Sequence, residues 1–160
     1  MAEPLPLTDF LTLPPREQLA AGISPPALGS VTVDAAEFSR VRYGAPAGYR
    51  VREVRGSRMR TVAALFDEFA AALQFPYYFR PNKDAFDECL FNLEDLLGDA
   101  TGYVVVVRDA GQLLADAPQE RAWFDSVIVD CAGFWISREV AFRVVLQGAP
   151  DGLAAVPIRL

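Results

Sequence analysis

Five consecutive apolar residues, Tyr103-Val104-Val105-Val106-Val107, narrow the fold of this chain more than any other segment. A strand with one face in water alternates apolar and polar residues. An unbroken run instead marks a strand covered on both faces, the usual condition of a strand in a parallel sheet. Parallel neighbours cannot be joined by tight turns; they need long crossovers, most often helical.

The flanking sequence supplies such crossovers. Tyr49, Val51 and Val54 suggest a strand that Gly56-Ser57 breaks. Thr61 is placed to cap a helix reaching Leu73, with Val62, Leu65, Phe66, Phe69 and Leu73 at helical spacing. Pro76 ends that helix, and an aromatic loop, Phe75-Pro76-Tyr77-Tyr78-Phe79, follows. Asn82 is a good N-cap for a second helix with Asp84 in its first turn, where a carboxylate suits the helix dipole. After the valine run, residues 109–115 suggest a short helix, Pro118 opens a longer one to about Cys131, and Val140 to Leu146 reads as a last strand. The expectation is an α/β fold: a small, mostly parallel three-stranded sheet packed against helices, spanning residues 48–148.

Residues 1–47 differ in character and hold seven of the 12 prolines. They read as an N-terminal extension, either packed on the main domain or partly flexible, with a short helix over Pro15 to Ala21 and a short strand over Val31 to Val33. Residues 149–160 read as a C-terminal tail.

The chain has 160 residues, 52% of them hydrophobic, which suffices for a real core and argues against disorder over its length. No run of about 18 apolar residues occurs, so no membrane span is expected. Met1-Ala2-Glu3-Pro4 has no basic segment with an apolar stretch behind it, so no secretory signal is expected. Cys89 and Cys131, without a CxxC pairing, fit two buried thiols in a reducing, cytoplasmic setting.

Histidine is absent. That removes Ser-His and Cys-His nucleophile pairs, imidazole metal ligands and imidazole acid–base chemistry. Neither GxxxxGK[ST] nor GxGxxG after a strand appears, so no phosphate cradle is expected. A glycosidase pair needs two carboxylates facing one another across a cleft, whereas neighbouring acids on one helical turn point the same way. Asp84, Asp87 and Glu88 are chemically able to take a divalent ion, but no second acidic cluster converges on them with ligand spacing. The chain reads as a protein without enzymatic activity, cofactor or metal.

Charge sharpens this reading. Residues 1–56 carry six acids and six arginines, so the whole net charge of −6 lies in residues 57–160. Between Asp84 and Val107 nothing is basic, while Asp84, Asp87, Glu88, Glu94, Asp95 and Asp99 are acidic. Such a surface disfavours nucleic acid and anionic membranes and favours a cationic partner, or simply keeps the protein soluble.

With about 100° per residue through one continuous second helix, Phe86, Cys89, Leu90, Leu93, Leu96 and Leu97 form a core stripe. Asp84, Asp87, Glu88 and Asp95 fall opposite, with Phe91 among them. Like charges at Asp84 and Glu88, four apart, repel, and a cationic partner would relieve them. Phe91 is then either an exposed contact residue or a ring covered by the N-terminal segment.

The stretch from Phe75 to Leu90, FPYYFRPNKDAFDECL, resembles the signature of the barstar family, bacterial inhibitors of barnase-type ribonucleases. The family pattern there is an apolar residue and Pro, two aromatics, Gly-x-Asn-x-Asp-Ala-apolar, and an acid four residues after the first Asp. The resemblance extends over about residues 49–147 and leaves the first 47 outside.

What it implies is a partner-binding site. The loop and helix plug the nuclease active site, and carboxylates replace substrate phosphates against its Arg and Lys. By position, Tyr78 and Phe79 are the loop aromatics, Asn82 the cap, and Asp84 and Glu88 the phosphate mimics. Asp130, late in the helix before the last strand, is the match for a further family acid. Opposed charge fields speed encounter, a relation for which barnase and barstar are themselves the worked case. Two departures stand out: the family's loop Gly is Arg80 here, and Asp87 replaces the Trp that precedes the second acid in the best-known member. The expected function is inhibition of a basic, extracellular-type ribonuclease or related toxin nuclease, as an immunity-type protein. The alternative is a regulatory or scaffold module of the same fold whose extension covers the acidic face.

Overall fold

The structure is a computed structural model that describes residues 3–160. Met1 and Ala2, where the targeting reading begins, lie outside the described residues. The elements run β1 (Leu5–Pro6), α1 (Leu7–Leu11), α2 (Arg16–Ala20), β2 (Leu28–Val31), α3 (Ala35–Phe38), β3 (Tyr49–Arg55), α4 (Val62–Ala72), α5 (Lys83–Leu90), α6 (Leu93–Leu97), β4 (Gly102–Arg108), α7 (Arg121–Ile136), β5 (Ala141–Gln147) and β6 (Val156–Arg159). No helix among the described residues is long and apolar enough to cross a membrane.

The sheet is α/β and parallel as expected, but it has six strands, not three, in the order β1-β6-β2-β5-β4-β3. Every recorded pairing is parallel. The expected trio is β3, β4 and β5, with β4 between the other two. The three additional strands come from the N-terminal extension and the C-terminal tail, which pair with β5 and with one another. Of these the sequence suggests only one, over Val31 to Val33, and it lies instead at Leu28–Val31; strands of two to four residues carry too little periodicity to fix their presence or bounds.

The valine run explains why the added segments are needed. Tyr103, Val105 and Val107 face one core together with Phe69, Phe86, Leu90, Phe124, Ile128 and Trp135 from the helices of the expected domain. Val104 and Val106 face a second core, built with Leu7, Phe10, Leu11, Phe38, Val41 and Ile158. The extension therefore covers the face of the sheet that the domain's own helices leave open.

Polar anchors hold it there. Tyr49 donates its hydroxyl to the Leu11 carbonyl at 2.6 Å. Arg143, fully buried on β5, donates to the Phe10 carbonyl at 3.0 Å. Arg108 donates to the Ala35 carbonyl at 3.0 Å and to the Ser39 hydroxyl at 2.6 Å, and pairs with Glu53 at 2.8 Å. Arg143 has no carboxylate partner among the described residues, and burial pushes its guanidinium down to about 10, against the opposing effect of Tyr49. It thus stays protonated at neutral pH, donating to the Phe10 and Phe142 carbonyls while its Nη2 is buried without a partner among the described residues.

Thr61 caps α4 by accepting from the Ala64 N–H at 3.2 Å, as its position implies. The long helix expected from Pro118 begins with a 3-10 turn, Pro118–Glu120, and runs on to Ile136.

If the extension is part of the core, Phe10→Ala, at a ring 2% exposed, will lower the melting temperature by about 10 °C. A chain beginning at residue 48 will expose an apolar sheet face and self-associate. Thermal melts and size-exclusion chromatography check both; a monomeric truncated chain with an unchanged melt would refute the double-faced core.

Candidate functional site

The acidic helix and aromatic loop are positioned by three local devices. Gln74 takes a left-handed backbone conformation (φ 56°) just after α4, and turns the chain so that the Phe75 N–H donates to the Ala70 carbonyl at 3.0 Å. Phe75 and Phe79 then fold inward: their centroids lie 5.0 Å apart, and Phe79 packs edge-on against Phe66 at 6.2 Å. Finally, Asn82 caps α5 by accepting from the Ala85 N–H at 2.8 Å.

These devices divide the loop's aromatics by role. Phe75 and Phe79 are anchors, while Tyr77 and Tyr78 stand out at 99% and 68% exposure. Tyr77 is absent from the residues that sequence reasoning singled out. Its signal was its place between Pro76 and Tyr78 in a loop whose flanking phenylalanines bury themselves.

Between loop and helix lies a groove of about 360 Å³, lined among others by Tyr78, Phe79, Arg80, Asn82, Asp84 and Glu88. It gathers five of the eight residues expected from sequence, because the cap at Asn82 turns the chain from loop to helix within two residues of Asp84. Asp84 and Glu88 are exposed. Neither makes an ion pair among the described residues. Lys83, by contrast, is engaged: its ammonium pairs with Glu120 at 2.7 Å and sits 4.8 Å over the Trp123 ring.

Asp87 and Asp130 form a second acidic locus where α5 meets α7. Partial burial, then the charges of Asp84 and Asp130, push the Asp87 carboxyl above the usual aspartate range. Its Oδ1 is buried without a hydrogen-bond partner. α5 is held against α7 at its C-terminal end: the Leu90 carbonyl accepts from the Trp135 indole N–H at 2.9 Å and from the Cys131 thiol at 3.6 Å. Of the two thiols expected to be buried, Cys131 is fully so, and burial pushes its thiol well up, which marks it as a packing group. Cys89, by contrast, is only half-buried and lines the groove.

That clamp also explains where Phe91 lies. The helix does not continue to Leu97: it ends at Leu90, and α6 restarts at Leu93. A helical projection past Leu90 therefore no longer holds. Phe91 is half-buried, its ring 4.7 Å from that of Phe134 on α7, so it neither stands free among the carboxylates nor is covered by the N-terminal segment. Glu94 turns to Arg138 at 2.9 Å. Among the described residues no group of three His, Cys, Asp or Glu side chains is placed to hold a metal ion.

Fold and groove together define an α/β domain that carries an acidic helix beside an aromatic loop. The profile of the family described as Barstar (barnase inhibitor) matches residues 49–147, more than half of the chain, and the chain belongs to the barstar family. No curated protein matches it significantly.

Asp87 gives a test of the electrostatics. Its folded-state pKa is raised, so its ionised form is disfavoured by folding; this costs stability at neutral pH, and the cost disappears once pH falls below the unfolded value of 3.8. Asp87→Asn will therefore raise the melting temperature at pH 7 by a small margin, about 2 °C, because solvent screens the partly exposed carboxyl. The gain will shrink as pH is lowered toward 4. A melting point unchanged or lowered at pH 7 would contradict the strain.

Proposed function

We propose that this protein inhibits a barnase-type ribonuclease, or a related toxin nuclease, by seating its acidic helix and aromatic loop in the enzyme's cationic cleft, and that it has no catalytic role of its own. The observation that carries the reading is that two carboxylates without an ion-pair partner among the described residues, Asp84 and Glu88, share one groove with the exposed Tyr78. Membership of the barstar family supports it.

In this reading Asp84 and Glu88 stand in for the phosphates of the RNA backbone. Carboxylates without an internal cation keep their full capacity for charge-assisted hydrogen bonds to Arg and Lys. Tyr77 and Tyr78 supply contact area with little rotamer freedom to lose. Phe79 and Asn82 act indirectly, one anchoring the loop and the other fixing the helix start. Asp87 and Asp130 extend the acidic field along the α5–α7 seam, while Phe91, half-buried against Phe134, packs at the end of α5. The competing scaffold reading needs the extension to cover the acidic face. Its apolar residues instead build the core on the far side of the sheet, and Asp84 and Glu88 remain exposed.

Asp84→Ala and Glu88→Ala will each weaken inhibition of a barnase-type ribonuclease by about 100-fold, because each leaves a desolvated cation of the enzyme unpaired. Raising ionic strength from about 0.01 M to about 0.1 M, which shortens the screening length from about 30 Å to about 10 Å, will slow association of the wild type. Inhibition that survives both substitutions and ignores salt would exclude the charge plug.

A further inference from the structure

Arg80 is the one cation among the residues lining the groove that holds Asp84 and Glu88. It is exposed and, unlike Lys83, forms neither an ion pair nor a side-chain hydrogen bond among the described residues. A guanidinium left free between an aromatic loop and two carboxylates shapes the field of the site. It adds repulsion toward any partner surface that is wholly cationic, and attraction toward one that sets an anion beside its cations.

We infer that Arg80 is a specificity residue of this site. It selects a partner whose cleft presents a carboxylate toward the loop next to the Arg or Lys side chains that meet Asp84 and Glu88, and it disfavours clefts lined by cations alone. This inference rests on the proposed inhibitory function and refines the partner's chemistry. The loop geometry leaves it room to act. The backbone at Arg80 donates nothing that a glycine would not also give: its carbonyl accepts from the Asn82 N–H at 2.7 Å, and its φ does not lie in the left-handed region. The side chain can therefore be changed without dismantling the cap at Asn82.

The experiment measures inhibition of a barnase-type ribonuclease, and of versions of that enzyme each with one cleft-rim Arg or Lys changed to Glu. The inhibitors are wild type, Arg80→Gly, Asp84→Ala and Arg80→Gly/Asp84→Ala, with thermal melts to confirm folding. Arg80→Gly is expected to inhibit the unmodified enzyme about tenfold more tightly than wild type. At one rim position the change to Glu is expected to reverse that order, so that the chain with Arg80 binds more tightly. No gain from Arg80→Gly, or no position at which the order reverses, overturns the inference. The Asp84→Ala arms separate this from the parent reading. If wild-type inhibition depends on Asp84 but Arg80→Gly brings no gain, only the specificity inference falls. If Arg80→Gly gains but Asp84→Ala leaves inhibition unchanged, the charge plug falls. If no form inhibits, both fall.

Discussion

A sheet whose central strands carry apolar side chains on both faces must be covered twice, and the rest of this structure follows from that requirement. On β4 the alternation of Val105 and Val107 with Val104 and Val106 feeds two separate cores. The helices α4, α5 and α7 cover only one. Without α1, α3 and the strands at the chain's two ends, the other face would be an open apolar surface of the kind that aggregates. The region matched by the family thus does not close its own core here. It also supplies the grips for the segment that does: the Tyr49 hydroxyl and the Arg143 and Arg108 guanidinium groups all end on carbonyls or hydroxyls of residues 10–39. Because Arg143 is charged, buried and without a carboxylate partner among the described residues, it relies on two carbonyls, and one of them, that of Phe10, comes from the extension. Docking of the extension and tolerance of that charge are one event.

The same layering protects the acidic groove. With the extension committed to the far face of the sheet, α5 is left free to show its polar side. Its inward side is fixed by Phe86 and Leu90 in the core and by the Leu90 carbonyl taken up by Trp135. An orphan carbonyl at a helix end needs a donor. α7 supplies one where α5 ends at Leu90, and this sets the seam in which Asp87 and Asp130 sit close enough to feel one another. The strain at Asp87 follows first from the partial burial that docking against α7 imposes, and then from the neighbouring charges of Asp84 and Asp130.

How much of this could be read from sequence depended on the length scale of the signal. Thr61 and Asn82 were legible because capping is a local event that reaches only three residues ahead, and both caps form. The Val104 to Val107 run was legible because burial on both faces leaves no alternation. The cover for the second face was not, because Leu5–Pro6 and Val156–Arg159 become strands only through partners more than a hundred residues away. Phe91 was misplaced for a related reason. Between Asp84 and Leu97, Asn92 at the head of α6 weakens a helix by propensity; the Leu90 carbonyl meanwhile accepts from the Trp135 indole, a tertiary contact that periodicity does not show. Tyr77 was passed over because sequence cannot distinguish which aromatics of a five-residue aromatic loop turn inward, a matter decided by Phe66 and Phe86.

A free carboxylate pair alone would make a site that attracts any cationic surface, and attraction of that kind confers rate more than choice. Choice requires a feature that penalises the wrong partner. In this chain the two cations nearest the acidic helix are treated in opposite ways. Lys83 is neutralised by Glu120 and laid on Trp123, where it adds stability and little outward field. Arg80 has no ion-pair partner among the described residues although Asp84 and Glu88 line the same groove. Were its only role to offset nearby negative charge, pairing it with either acid would serve better. A cation held apart from the acids around it keeps its field for whatever enters.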